Sequence, residues 1–182
     1  MKDEIAPGFL IAVPQLLDRN FFRSVVFLIE HHEEGAFGVV INRPSEVKVQ
    51  ELLDNLGLKF STTDAEARVM IGGPVQPDRC LVFHTEGCGP GDSRALTDSI
   101  FVSSTPNSLE RLYSRPNPHA VWFAGYSGWG PGQLEKEIGE GAWIPASIDE
   151  SIIFDVDRNT LWDRALRGIG IDPRFLVRGA VS

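Results

Sequence analysis

The sequence predicts an α+β fold: a single compact domain with a mostly antiparallel sheet, open or barrel-like, and about four helices. Three observations carry that expectation. The first half holds β-branched apolar runs joined by short polar, glycine-bearing links, which is how hairpins read. Helical periodicity enters mainly in the second half, interleaved with further strands. The chain has 182 residues, 42% of them hydrophobic. At that length folding buries about 70% of the extended-chain surface, enough for a core without disulfides.

Taken in order, "GFLIAV" (8–13) reads as a strand and "QLLDRNFFR" as a turn or short helical turn. "SVVFLIE" (24–30) and "FGVVINR" (37–43) form the clearest hairpin, joined by "HHEEGA". In "VQELLDNLG", Val49, Leu52, Leu53 and Leu56 fall on one helical face, and Gly57 ends the helix. "RVMIGG" and "RCLVFH" are strands around the link "GGPVQPD". A glycine-rich polar link (85–99), expected to be mobile, leads to the strand "IFVSS". "TPNSLERLYSR" starts a helix with Thr105 as cap and Pro106 at its first position. "HAVWFAGY" is apolar on both faces and belongs in the middle of a sheet. After a glycine loop and its helix, "AWIPA" and "ESIIFDV" read as strands, and "NTLWDRALRG" as a last helix capped by Asn159.

Composition narrows the function. Seventeen basic against 25 acidic residues leave a net charge of −8, and such a field repels phosphate, which speaks against nucleic acid as a partner. The acidic start and Pro7 and Pro14 argue against a secretion signal. No apolar run approaches the roughly 18–20 residues that span a bilayer. Two cysteines make no disulfide framework, so a reducing cytoplasm is expected.

The glycine stretch "GYSGWGPGQ" (125–133) invites comparison with nucleotide and nucleophile loops. A nucleophile elbow needs glycine where Trp129 stands, and all four histidines precede Ser127 rather than follow it. A phosphate-binding P-loop needs a lysine after its last glycine, but Pro131 follows Gly130. The dinucleotide pattern fails at Gln133. Two readings stay open: a tight turn capped by Glu135 and Glu137 and pinned by Trp129, or a binding loop using Tyr126, Trp129 and Gln133.

Other candidates are weaker. Cys80, His84 and Cys88 are spaced four apart, but strand positions four apart are ~13 Å apart, too far to share a zinc without a bend. No metal or other cofactor is expected. "HHEEG" reads as a solvated turn. "GGPVQPDR" is either a well-made turn or a rigid loop presenting Gln76, Asp78 and Arg79. The stretch 158–178 carries five arginines against two aspartates and is the one place where phosphate binding is conceivable. The acidic stretch 133–150 is expected to pair with it or stay solvated.

Three long segments, "PGFLIAVPQLLDRNFFRSVVFLIEHHEEGAFGVVINRP", "GGPVQPDRCLVFH" and "GYSGWGPGQLEKEI" with the later "AW", together resemble the AlgH/YqgE family of bacterial proteins in order and spacing. The resemblance implies a compact α+β protein of the bacterial cytosol. It also brings a label of transcriptional regulator, drawn from an association with alginate control, and no established catalytic residue. The family's characteristic positions fall here on residues such as Asp18, Phe21, Asn42, Arg43, Gly72, Gly73, Arg79, His84, Gly125, Trp129, Gln133 and Trp143. Ser127 and Cys80 stand where the family often has alanine and glycine, which counts against a nucleophile or a metal site. The resulting expectation is a non-catalytic binding module, with DNA-associated regulator and enzyme as alternatives. Its site is placed at Arg43, Gln76, Asp78, Arg79, His84, Tyr126, Trp129 and Gln133. If these converge, they make a cleft for a small anionic ligand or for an acidic or aromatic segment of a protein partner.

Overall fold

The computed structural model describes residues 4–62, 64–85, 93–115, 118–155 and 157–178, with the side chains of 177 and 178 outside that description. The expected mobility of the 85–99 link rests mainly on residues 86–92, and Cys88 is one of them, so both lie outside the described residues.

The first three strands, β1 (Gly8–Ala12), β2 (Val25–His32) and β3 (Gly35–Val40), form an antiparallel meander. Apart from the Glu30–His32 end of β2, they read as apolar runs because both faces are covered. Phe9, Ile11, Val25, Phe27 and Val39 enter one core, while Leu10, Ala12, Val26, Leu28 and Val40 enter another on the opposite face. The hairpin turn is shorter than expected: β2 runs on through His32, which pairs with Gly35, leaving Glu33 and Glu34 as the turn. β10 (Trp143–Ala146) pairs antiparallel with β1 and closes this edge.

A second group holds β4 (Pro44–Lys48), β5 (Arg68–Ile71), β6 (Val75–His84), β7 (Arg94–Ala95) and β8 (Phe101–Ser103). The two groups meet at β9 (Ala120–Trp129). Its first half pairs antiparallel with β6 and parallel with β5, and its last three residues pair with β3. The glycine stretch is therefore largely strand, and only residues 130–132 remain as a loop. "GGPVQPD" is likewise no simple link. Gly72–Pro74 is the connection, and β6 already begins at Val75, with a bulge before Cys80.

The result is a curled, mostly antiparallel half-barrel whose concave core runs through both groups (Phe9, Phe27, Phe83, Phe123). This side is covered by a 3-10 turn (Glu150–Phe154) and α4 (Leu161–Gly168), whose Trp162 donates its indole N–H to the Ala12 carbonyl at 2.8 Å. On the convex side α1 (Val49–Asn55) and α2 (Pro106–Tyr113) cover Val69, Val82 and Trp122, and α3 (Gln133–Gly139) covers the β1–β3 meander. A short α5 (Pro173–Arg178) ends the described chain.

Several expectations are corrected. The segment "ESIIFDV" is not a strand; Asp149 accepts from the Ser151 N–H and starts a 3-10 turn that buries Ile153. β4 has no signal in the sequence, because an exposed edge strand reading "PSEVK" shows no alternation. Thr160, not Asn159, precedes α4, and its side chain makes no cap. Thr105 caps α2 as expected, in a reciprocal box with Ser108.

Candidate functional site

The predicted site residues do not converge on one face; they fall in three places. The first surrounds Arg43 at the end of the meander. Its guanidinium donates to the carbonyls of Arg19, Asn20 and Phe22. Neighbouring Asn42 accepts from the Val25 N–H and donates to the Arg23 carbonyl, each at 2.9 Å. Together they staple the 18–23 turn onto the sheet. Partial burial lowers the Arg43 pKa, against the opposing pull of Asp18.

The second place is the start of α3. Gln133 accepts from the Gly130 N–H at 3.0 Å and donates to Glu137 at 2.9 Å. The other Glu137 oxygen accepts the indole N–H of both Trp129 and Trp143, each at 2.9 Å. Trp129 and Trp143 are buried and meet edge to face, and Phe21 fills the remaining side. Of the two readings left open by the sequence, this geometry is the turn pinned by Trp129 and held by a carboxylate. Glu135 points elsewhere, to His31 at 2.8 Å. Ser127 is fully buried and donates to the Gly72 carbonyl at 3.0 Å, so no free hydroxyl stands there.

The third place lies along β6. Strand alternation puts Arg79, Leu81 and Phe83 on one side, where they line a groove. Val82 and Cys80 face the opposite side, packed among the α2 leucines. His84 shares that parity, is wholly buried, and hydrogen-bonds Ser103 Oγ through Nε2 at 2.8 Å. It therefore takes no part in the groove. The Cys80 thiol is pushed up by burial and by Asp78 nearby, which keeps it protonated rather than nucleophilic. Among the described residues no group of three metal-capable side chains assembles.

The groove has a volume of about 470 Å³. Its floor includes Phe37, Leu81, Phe83 and Val102, and Arg79 and Arg94 stand at its edges. Arg94 is paired with Glu30. Arg79 is exposed, and among the described residues its one hydrogen bond is a long 3.5 Å contact to Gln76. Gln76 holds a left-handed backbone (φ 46), uncommon for a residue with a side chain, and sits in the bulge that turns Asp78 and Arg79 outward. Tyr126 reaches the groove indirectly, its ring 4.9 Å from that of Phe37.

Among the described side chains the arginines of the C-terminal stretch do not form one cationic face. Arg164 pairs with Asp155 and Arg174 with Asp172, within their own segment rather than with residues 133–150. Arg158 is buried and donates to the Ile41 carbonyl at 2.8 Å. No local pattern relates Arg158 to Arg43, so their proximity has no signal in the sequence.

The curled half-barrel and the central strand shared by its two groups define the class of protein as a compact α+β fold with a mostly antiparallel sheet. The chain belongs to the AlgH-like family, whose model matches residues 9–174. It is 40% identical over 175 residues to a UPF0301 protein of Myxococcus xanthus, covering 96% of both chains. A UPF0301 protein of Ruegeria pomeroyi is 39% identical over 180 residues, with 97% of this chain and 98% of that one covered. The solution structure of the AlgH protein from Pseudomonas aeruginosa superposes with a TM-score of 0.77 at 30% identity, over 100% of this chain and 96% of the other. A crystal structure of a Corynebacterium diphtheriae protein gives 0.71 at 26% identity, over 89% and 86%. Among the described residues no helix is long and apolar enough to cross a membrane.

Proposed function

We propose that this chain is a non-catalytic binding module for a small amphipathic anion, held in the β6 groove. The observation that carries the reading is the pairing of an apolar floor with an exposed guanidinium at the rim, Arg79, which lacks a carboxylate partner among the described residues. A volume of about 470 Å³ lies inside the usual range for small-molecule sites of about 300–1,000 Å³. Phe37, Leu81, Phe83 and Val102 would take an alkyl or aryl body, and Arg79 its carboxylate or phosphate. Gln76 contacts Arg79, Asp78 precedes it in the chain, and Tyr126 backs Phe37. Catalysis through His84 is disfavoured because that ring lies across the strand from the groove and is engaged by Ser103. A DNA-contacting role is disfavoured by the net charge of −8 and by the local pairing of Arg164 and Arg174.

The test is an amide NMR titration with octanoate and, separately, octanol. Octanoate is expected to give saturable shifts over 79–83 and 101–103. Losing the charge, through octanol or Arg79→Ala, should weaken binding about tenfold, the scale of one charged hydrogen bond. Unmoved amides in the groove, or equal affinity in Arg79→Ala, would refute the reading.

A further inference from the structure

A second site, independent of the groove, lies where the meander meets α4. Arg23, Arg43 and Arg158, from three separate parts of the chain, line one cavity of about 200 Å³ with Asn42, Asn159 and Asp163. Each cation is held by neutral partners. The Arg23 guanidinium stands over the rings of Phe22 and Trp162, at 5.3 and 5.2 Å, on a backbone in the left-handed region (φ 50). Arg43 is caged by the three turn carbonyls, and Arg158 donates Nη1 to Ile41. Among the described residues none of the three pairs with a carboxylate. Asp18 acts on Arg43 only at longer range, and Asp155, which faces Arg158, is already taken by Arg164. Asp163 is the one acid in the cavity wall.

A guanidinium has five N–H donors, and Arg158 spends one on Ile41. Among the described residues no fully buried side-chain nitrogen lacks a partner, so the remaining Arg158 nitrogens are not fully buried. Burial pulls its pKa down to about 10, which leaves it charged at neutral pH. Carbonyls and ring faces orient such cations without neutralising them, so three in one cavity create a local positive field against the overall charge of −8. Arg43 spends both Nη atoms on the turn carbonyls and adds its charge, so the forks left for a ligand are those of Arg23 and Arg158. Two forks share the several oxygens of a tetrahedral oxyanion better than the two of a planar carboxylate. Arg158 and Asn159 also line a neighbouring cleft of about 460 Å³ that includes Tyr113, Trp122 and Phe154, which gives a substituent room to extend.

We propose that Arg23, Arg43 and Arg158 form a binding site for a phosphate group, either free or at the head of a small monoester.

The experiment is isothermal titration of the full chain with inorganic phosphate and with phenyl phosphate at constant ionic strength, for the native sequence, Arg23→Gln, Arg158→Gln and the control Arg167→Gln, a residue of α4 outside the cavity lining. Saturable one-site binding is expected, weakened about tenfold or more in Arg23→Gln and Arg158→Gln and unchanged in Arg167→Gln. Arg158 is buried, so its variant counts only with native amide dispersion; Arg23, at the surface, decides the matter otherwise. Tighter binding of phenyl phosphate identifies an ester as the ligand, and equal or weaker binding identifies the free ion. No saturable heat from either probe up to about 10 mM, or equal loss in Arg167→Gln, overturns the assignment.

Discussion

The tightest constraint on individual residues is a backbone crossing. A Cβ added to Gly72 would lie 2.3 Å from the Gly125 carbonyl oxygen, one on Gly73 2.2 Å from that of Tyr126, and one on Gly125 2.5 Å from that of Gly73. Gly72 also ties the two strand groups together, donating to the Ala124 carbonyl and accepting from the Val40 N–H. Gly125 adds a positive φ of 71°. Gly57 has a similar φ of 69°, but a Cβ added there would meet nothing within 4 Å. Gly57→Ala should therefore cost about 1–2 kcal/mol, the left-handed penalty alone. Gly125→Ala should cost roughly 3 kcal/mol or more, because backbone cannot move aside as a flexible side chain would. Urea unfolding midpoints compare the two directly, and similar losses would contradict this account. From the sequence both glycine motifs look like loops, since glycine permits unusual dihedrals. Their partner is each other, some fifty residues away, and no local pattern carries that information.

At the scale of elements, α3 is fastened by one carboxylate. Glu137 accepts two indole N–H groups and the Gln133 amide. Glu137→Ala leaves both indoles unsatisfied in a buried cluster and should destabilise by about 2–4 kcal/mol. Glu137→Gln keeps an acceptor oxygen and should lose roughly half as much. Chemical denaturation measures both, and an alanine variant as stable as the native chain would rule this fastening out. Elements buried on two faces are legible in the sequence, because β1, β2 as far as Ile29, β3 and the first half of β9 are apolar. Edges are not. The exposed β4 carries no alternation, and "ESIIF" has β-branched residues that favour extended chain, yet Asp149 redirects it into a 3-10 turn. The site is legible only in part. Arg79 and Gln76 are recognisable at a rigid turn, and Trp129 and Gln133 are engaged by the nearby Glu137, as one of the two open readings has it, whereas His84 is engaged by Ser103 on another strand, which the sequence does not reveal.

For the whole molecule, several carboxyls set the response to acid. The Arg164 hydrogen bond holds Asp155 below the usual carboxylate range, and Arg174 holds Asp172 at about 2. Such groups bind protons more readily unfolded than folded. Their contribution is therefore complete above about pH 4 and is lost as the pH falls through the folded value. Thermal midpoints should decline between about pH 4 and pH 2. Asp155→Asn should be less stable than the native chain at pH 5 and should converge with it at pH 2. A gap that stays constant with pH would contradict the Asp155 assignment.

β9 limits how this chain can be divided. The same ten residues supply hydrogen-bond partners to β3 on one side of the crossing and to β5 and β6 on the other. Neither group of strands contains this element without depriving the other of it. A fragment that ends before β9 loses the central ladder of its own sheet, and one that begins there lacks the meander that covers Trp129. The two groups are thus joined along one strand, and neither is expected to fold when expressed apart from it.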